Sequence, residues 1–456
     1  MKLAILGGGG FRTPFVWQAL LRDQGVPRVD HVTLYDTSTV RLEGMRTILT
    51  ELAAAFPDAP KLEIVTDLDA AIDGSDFIFA AVRVGGLEGR CHDERVALDL
   101  DVLGQETTGP GGLAYALRTV PFMVDVAERV RRLAPTGWVL NFTNPAGIIT
   151  EAMQSILGER VLGICDTPSG LAQRASELLG YNPTTVQFDY IGLNHLGWVR
   201  RLLVDGTDVL PDLLADPERV AQLEEAQLFG VDWLQTLGSL PNEYLYYYYC
   251  NRDAVRRIKE SAMTRGEFVA RSQHKFFAEL GSDGATAVER WRHTVDDRNA
   301  SYMAEALGGV QGAPTYARLP ETDPAQQGYA GVALTVMAAI ARDQRSSMIL
   351  NVRNGETIAA LPPDAVVEVP VTVDATGVHP LPTAPPDLHQ AGLMQQVKAV
   401  ERHVIAAAVH GDRTEALRAF ALHPLVPSVS VARELLTGYI SRIPEVAAVF
   451  ERGGRA

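Results

Sequence analysis

From its first residue this chain alternates apolar strands with helical stretches, and a run of four glycines lies between the first strand and the first helix. Met1-Lys2-Leu3-Ala4-Ile5-Leu6 reads as a buried strand, Gly7-Gly8-Gly9-Gly10 as the turn, and Val16 to Leu21 carries helical periodicity. The pattern repeats: strand His31 to Tyr35 ending in Asp36, helix from Val40 to Phe56, strand Leu62 to Val65, then the continuous apolar run Phe77 to Val82. Trp138-Val139-Leu140-Asn141 and Val161-Leu162-Gly163-Ile164 read as two more strands. Uninterrupted apolar strands separated by helices demand a sheet covered on both faces, a doubly wound parallel sheet with right-handed crossovers. A chain of 456 residues exceeds one ordinary core, so we expect two domains, residues 1–196 and 197–456. Beyond about Trp198 the pattern changes. Asp205-Gly206 reads as a hairpin turn, long helical segments run to about Asp297, Pro362 to Val373 and Pro380 to Pro386 carry strand and loop signals, and a helix runs from Ala391 to Val409.

The opening unit suits a dinucleotide. Glycines let backbone approach a pyrophosphate, a helix N-terminus faces it with N–H groups, and an acid such as Asp36 at the next strand end bonds ribose hydroxyls. Gly7, Gly8, Gly9 and Asp36 are therefore candidate cofactor residues, although the third glycine of G-x-G-x-x-G is Arg12. The competing explanation is a tight turn without a cofactor. With 41 Lys+Arg against 56 Asp+Glu, a formal net charge of −15, general nucleic-acid binding and polybasic membrane contact are disfavoured. A few arginines in one pocket still suffice for an anionic substrate. Three scattered cysteines make no disulfide framework, and no secretory segment opens the chain, so we expect the cytoplasm. The longest apolar stretch, around Tyr329 to Ala341, falls short of the roughly 20 residues of a membrane span.

Several further residues gather along one sheet edge. Cys165-Asp166 ends a strand, where open α/β sheets place ligands, and His195 follows in Gly192-Leu193-Asn194-His195. A thiolate and an imidazole suit Mn²⁺, Fe²⁺, Co²⁺ or Zn²⁺, although a lone Cys or His is more often structural. Leu240 to Tyr249 holds five tyrosines, most of them expected in a core or interface; one acting as a base needs a metal or cation nearby. Arg83 and Arg90 flank Gly85-Gly86 just past a central strand, Gln105-Glu106-Thr107-Thr108-Gly109-Pro110-Gly111-Gly112 follows, and Asn141-Phe142-Thr143-Asn144-Pro145 ends another strand in the same layer. Such Gly-rich polar stretches are costly to bury unless they line a site.

Taken in order, these blocks resemble glycoside hydrolase family 4, the nicotinamide- and metal-dependent glycosidases, over nearly the whole chain. The resemblance implies an N-terminal Rossmann-like domain similar to lactate and malate dehydrogenases and a helix-rich C-terminal α/β domain. It implies NAD, with Arg83 and Asn141 added to the cofactor residues, and one divalent metal, Mn²⁺, on Cys165 and His195. Tyr244 matches the base, Glu106 the group that raises its basicity and Asp166 the general acid; Arg90, Asn144 and Arg265 match substrate positions. The implied reaction is oxidation at C3, elimination through C2, water addition and reduction. The implied partner is a phosphorylated glucoside, and the implied assembly a homodimer or homotetramer. Gly85 to Glu88 and Thr107 to Gly109 are similar to the 6-phospho-β-glucosidase branch, whereas an aspartate at 166 accompanies α-linked substrates. The expectation is the β activity. The alternatives are the 6-phospho-α activity, the same machinery on unphosphorylated glycosides, a 2-hydroxy-acid dehydrogenase, and a non-enzymatic NAD sensor.

Overall fold

The computed structural model describes residues 1–280, 286–301, 303 and 328–453. β1 (Lys2–Leu6), β2 (His31–Tyr35), β3 (Lys61–Val65), β4 (Phe77–Ala80), β5 (Trp138–Asn141) and β6 (Val161–Gly163) form the parallel half of one sheet. Their spatial order is β3-β2-β1-β4-β5-β6, the doubly wound order. In this half, β1 pairs with β2 and β4 on either side, in register Leu3↔Val32 and Leu3↔Phe77. Side chains alternate across the sheet: Leu3 and Ile5 enter one core layer, Ala4 and Leu6 the other. Both layers are closed by helices, so each fully buried leucine or isoleucine contributes about 1.5–3 kcal/mol of burial free energy.

The chain then extends this sheet with antiparallel strands. β7 (Gln187–Leu193) and β8 (Leu196–Val204) form a hairpin, β9 (Thr207–Asp208) folds back on β8, and β10 (Leu240–Pro241) pairs with β8 on its other side. The Asp205-Gly206 turn lies where its sequence indicated, with φ of +48° and +80° at the two residues. β11 (Ser346–Arg353), β12 (Val366–Asp374) and β13 (Gly377–Pro380) complete the sheet, whose path is β10-β8-β7-β12-β11-β6-β5-β4-β1-β2-β3. The strand signal at Pro362 to Val373 corresponds to β12; β11 went unread because half of its residues are polar and nothing local announces it. The apolar stretch near Tyr329 is the helix Gly328–Arg342. Among the described residues no helix is long and apolar enough to cross a membrane.

The two halves meet where β11 pairs with β6 at Asn351↔Gly163, and within the antiparallel half β12 joins β7 over an equally short ladder at Glu368↔Gly192. Gly163 is required by close approach: a Cβ there would lie 2.5 Å from Thr150 Oγ1 and 2.9 Å from Asn351 Cβ. The Glu368 carboxylate, buried in this join, accepts from Asn351 Nδ2 (2.9 Å), Asn194 Nδ2 (3.3 Å) and Tyr190 Oη (2.8 Å). It thereby ties the tip of the β7–β8 hairpin to the centre of the sheet.

Candidate active site

Two adjoining cavities open at the C-terminal ends of the parallel strands. The larger, about 560 Å³, runs from Gly7, Gly10 and Asp36 past Arg83 and Asn144; the smaller, about 190 Å³, is walled by Tyr244 and Arg265. Arg90, Glu106 and Arg298 line both.

The glycine turn is built around the end of β2. Gly7 N and Gly8 N both donate to Tyr35 O, at 2.9 and 2.8 Å, and Gly9 N donates to Asp36 Oδ2 at 3.1 Å. The other Asp36 oxygen accepts from Ser38 N at 3.0 Å, so this carboxylate is fixed where it borders the larger cavity. Gly7 has φ +84°, and a Cβ there would stand 2.4 Å from Ala81 O. Positive φ alone costs a non-glycine residue about 1–3 kcal/mol. Gly7→Ala is therefore expected to lower the unfolding free energy by at least that amount in urea titration, and an unshifted midpoint would contradict this account of the turn. Phe11 and Arg12 follow. Phe11 packs edge-on against Phe276, ring centroids 4.8 Å apart, which clamps the turn to the helix Arg265–Glu279, while Arg12 lines the larger cavity.

Past β4 the helix Gly86–Leu98 starts from Gly85 at φ +78° and brings Arg90 inward. Glu106 Oε2 lies 2.6 Å from Arg83 Nη2 and 2.9 Å from Arg90 Nη1. Burial pushes the Glu106 carboxyl up, but Arg83, Arg90 and Arg298 outweigh it and hold it at about 2. Glu106 is thus a carboxylate at any ordinary pH. Arg90 Nε also donates to Glu94 Oε1 (3.1 Å), and Glu94 Oε2 accepts from Gly266 N (2.7 Å). This links the helix carrying Arg90 to the one starting at Arg265. Beneath, Arg118 pairs bidentately with Asp93, both contacts 2.7 Å with both side chains fully buried, and its Nε donates to Val84 O at 2.9 Å. The Arg83 and Arg118 guanidiniums flank the Tyr115 ring, 4.7 and 4.9 Å from its centroid. Arg83 Nη1 is buried with no hydrogen-bond partner among the described residues.

His195 stands at the tip of the β7–β8 hairpin, with φ +63°. Its Nδ1 lies 3.1 Å from Thr107 Oγ1, whose hydroxyl donates to Gln105 Oε1 at 3.1 Å, so the imidazole donates from Nδ1 and keeps the lone pair on Nε2. Burial pushes its pKa down to about 4, against the pull of Glu106 and Asp166. The ring is stacked on Tyr244, centroids 3.7 Å apart and planes within 2°. Tyr244 reaches it because β10 pairs with β8 and Asn242 Oδ1 accepts from Tyr244 N at 3.0 Å. Of the other tyrosines of that run, Tyr246 is buried, Tyr247 is buried and lines the smaller cavity beside Tyr244, and Tyr249 Oη accepts from Trp198 Nε1 at 2.9 Å.

Cys165 is buried directly after β6, at the start of the helix Thr167–Leu178. Burial, Glu368 and Asp166 hold its thiol well above the usual value, against hydrogen bonds from Thr167. Asp166, the residue before that helix, acts electrostatically on both Cys165 and His195. Among the described residues no group of three or more His, Cys, Asp or Glu is placed to hold a metal.

Of the residues singled out from sequence, Gly7, Asp36, Arg83, Arg90, Glu106, Asn144, Tyr244 and Arg265 all border these two cavities. His195 joins them through Tyr244. Gly8 and Gly9 serve the glycine turn, and Asn141 is buried in its own loop: its Nδ2 reaches Thr143 O, Ala146 O and Thr150 Oγ1, and its Oδ1 accepts from Thr143 N. Thr107, Arg298 and Glu368 were not singled out. Thr107 sits in a block already recognised, but Arg298 lies in a polar helix and Glu368 in a distant strand, where nothing local marks them.

The family model "Family 4 glycosyl hydrolase" matches residues 2–181 and "Family 4 glycosyl hydrolase C-terminal domain" residues 190–426. The chain is 28% identical over 449 residues to a "Probable 6-phospho-beta-glucosidase" of Bacillus subtilis, covering 96% of this chain and 95% of that one. It is 29% identical over 463 residues to a 6-phospho-alpha-glucosidase of Leptotrichia buccalis, covering 96% and 97%. Among solved structures, the Thermotoga maritima 6-phospho-beta glucosidase with manganese, NAD⁺ and glucose-6-phosphate superposes with TM-score 0.81 at 26% identity, over 98% and 99% of the two chains.

Proposed function

The chain belongs to glycosyl hydrolase family 4, and from that premise we propose that it is an NAD⁺- and Mn²⁺-dependent 6-phospho-β-glucosidase. The observation that carries this is the meeting of a nucleotide-sized cleft and a small polar pocket at Arg90 and Glu106, beside the Tyr244–His195 stack.

The residues fit both groups. Asp36, the glycine turn and the orphaned Arg83 Nη1 suit a dinucleotide. Cys165 as a thiolate and the Nε2 of a neutral His195 are the donors that would hold a borderline-soft divalent ion, with Asp166 acting electrostatically on both. When bound, NAD⁺ would supply a hydride acceptor for C3 of the glucosyl ring, and a divalent ion would supply Lewis-acid polarisation of the oxygen there. Tyr244 takes the acidified C2 proton, and the stack on His195 fixes where its hydroxyl stands. As the C1–O bond breaks, Asp166 gives the leaving oxygen its proton. Asp166 then takes a proton from the water that adds at C1, and Tyr244 returns a proton to C2. Glu106 keeps Arg83 and Arg90 in place throughout. In this scheme residues 1–196 carry the cofactor and 197–456 bring Tyr244 and Arg265. Cys91, Cys165 and Cys250 are all free thiols, which supports a reducing compartment, the cytoplasm.

The β preference rests on the Gly85 to Glu88 and Thr107 to Gly109 blocks, while Asp166 favours the α-linked alternative. Both are decided by p-nitrophenol release from the α- and β-glucoside 6-phosphates under reducing conditions, with and without NAD⁺ and Mn²⁺. Release requiring both additives, faster from the β anomer, is expected. Faster release from the α anomer reverses the anomer assignment, and release from neither substrate, with both groups bound, overturns the activity.

A further inference from the structure

The block Gln105 to Gly112 supplies Glu106 to the arginine cluster, but its other residues have no part in the reaction scheme. Gln105 Oε1 accepts from Thr107 N (2.6 Å), Thr108 N (2.6 Å) and Thr107 Oγ1 (3.1 Å). Two backbone N–H groups facing one oxygen fix which way this amide points, since its nitrogen cannot accept. The single Thr107 hydroxyl proton is therefore spent on Gln105, and the hydroxyl oxygen is left to accept from His195 Nδ1, 3.1 Å away. The direction of every bond from Gln105 through Thr107 to His195 is thus set at the end remote from the imidazole. The glycines that follow seat this loop: a Cβ at Gly111 would collide with Gln105 O, and one at Gly112 with Thr107 O. His195 needs such a hold. It stands at φ +63° on a hairpin tip, a conformation that a non-glycine residue keeps only when its surroundings over-determine it.

We propose that Thr107, directed by Gln105, is a positioning residue for the divalent ion: it holds His195 as the Nδ1–H tautomer with Nε2 presented, and so sets the metal affinity. The inference rests on the assignment of His195 as a metal donor above. Thr107 borders neither of the two cavities of the site, so its influence passes through the imidazole. Hydrogen bonds to the far nitrogen of a ligating histidine fix its tautomer and ring orientation, and losing one costs about 10- to 100-fold in metal affinity. Tyr244 stacks on the same ring, so the alignment reaches it as well.

The test measures Mn²⁺ affinity by electron paramagnetic resonance of the free ion, with NAD⁺ present, substrate absent and thiols reduced. It uses full chains of wild type, Thr107→Val, Thr107→Ser, Gln105→Glu and His195→Ala. The tautomer is read separately, without metal, from imidazole nitrogen NMR shifts, the His195 signals being those lost in His195→Ala. Thr107→Val is expected to weaken Mn²⁺ binding by about 10- to 100-fold and to lose the Nδ1–H preference. Thr107→Ser keeps the hydroxyl and Gln105→Glu keeps the acceptor oxygen, so both retain most of the affinity. NAD⁺ affinity stays constant throughout. Wild-type Mn²⁺ affinity in Thr107→Val overturns the inference. Equal losses in Thr107→Val and Thr107→Ser overturn it too, because they assign the effect to loop packing. If His195→Ala binds Mn²⁺ as tightly as wild type, His195 is not a metal donor, and the assignment beneath the inference falls instead.

Discussion

Tyr244→Phe is expected to lower kcat by about 10²- to 10⁴-fold, the range of a removed general acid–base group. The substitution deletes one hydroxyl and leaves the ring that stacks on His195 at 3.7 Å, so Mn²⁺ and glucose 6-phosphate affinities should move little. A second signal separates chemistry from packing. With wild type in D₂O, deuterium should enter C2 of the product, because the proton removed there exchanges before it returns; in the Phe variant that incorporation should fall in parallel with kcat. A variant with near-normal kcat and full C2 exchange would remove Tyr244 from the base role.

The largest expected loss of stability is far smaller in structural extent. Arg118→Met strands Asp93, whose side chain is fully buried and whose two carboxylate oxygens each accept one Arg118 N–H. Breaking one partner of a buried ion pair costs about 3–5 kcal/mol, whereas replacing both partners with apolar groups of similar volume is often close to neutral. Urea titration should therefore show a large drop for Arg118→Met and a substantial recovery for Arg118→Met combined with Asp93→Leu. The recovery will be incomplete, since Arg118 Nε also holds Val84 O and its guanidinium covers the Tyr115 ring. A double variant as unstable as the single one would show that the charge pair is not the source of the loss.

The parallel half of the sheet was legible because each of its strands is a short apolar run bounded by turn residues, so local pattern and tertiary role coincide. β11 was not, because Ser346, Ser347 and Asn351 interrupt its apolar run and its partner β6 lies far back in the chain. Arg90 and Glu106 were legible as polar residues in Gly-rich stretches near strand ends, whereas Tyr244 and Arg265, which border the same pocket, were reached only through the family resemblance. Arg298 enters that pocket only because the helix Ala287–Ala300 returns over it, a fact of tertiary packing. Arg12 was legible only as a missing glycine. Asn141 shows the reverse limit: a residue inside a recognised block can spend its amide on the turn that presents its neighbours.

The position of β11 and β12 in the sheet also governs the order in which the molecule can be assembled. β6 and β7 are separated by about two dozen residues in sequence, yet the chain forms β8, β9 and β10 before it returns to place residues 346–374 between them. Until those residues leave the ribosome, β6 and β7 each present an open edge, the kind of surface that templates pairing with other chains. Long-range pairing of this sort is slow because the intervening loop must close before any contact rewards it. The His195 hairpin waits on the same event, since the carboxylate that ties it down, Glu368, arrives on the last strand inserted. A nascent chain that ends before residue 346 would thus hold its whole glycine turn and its Tyr244 while lacking the two strands that join them, so the open edges of β6 and β7 last until late in synthesis.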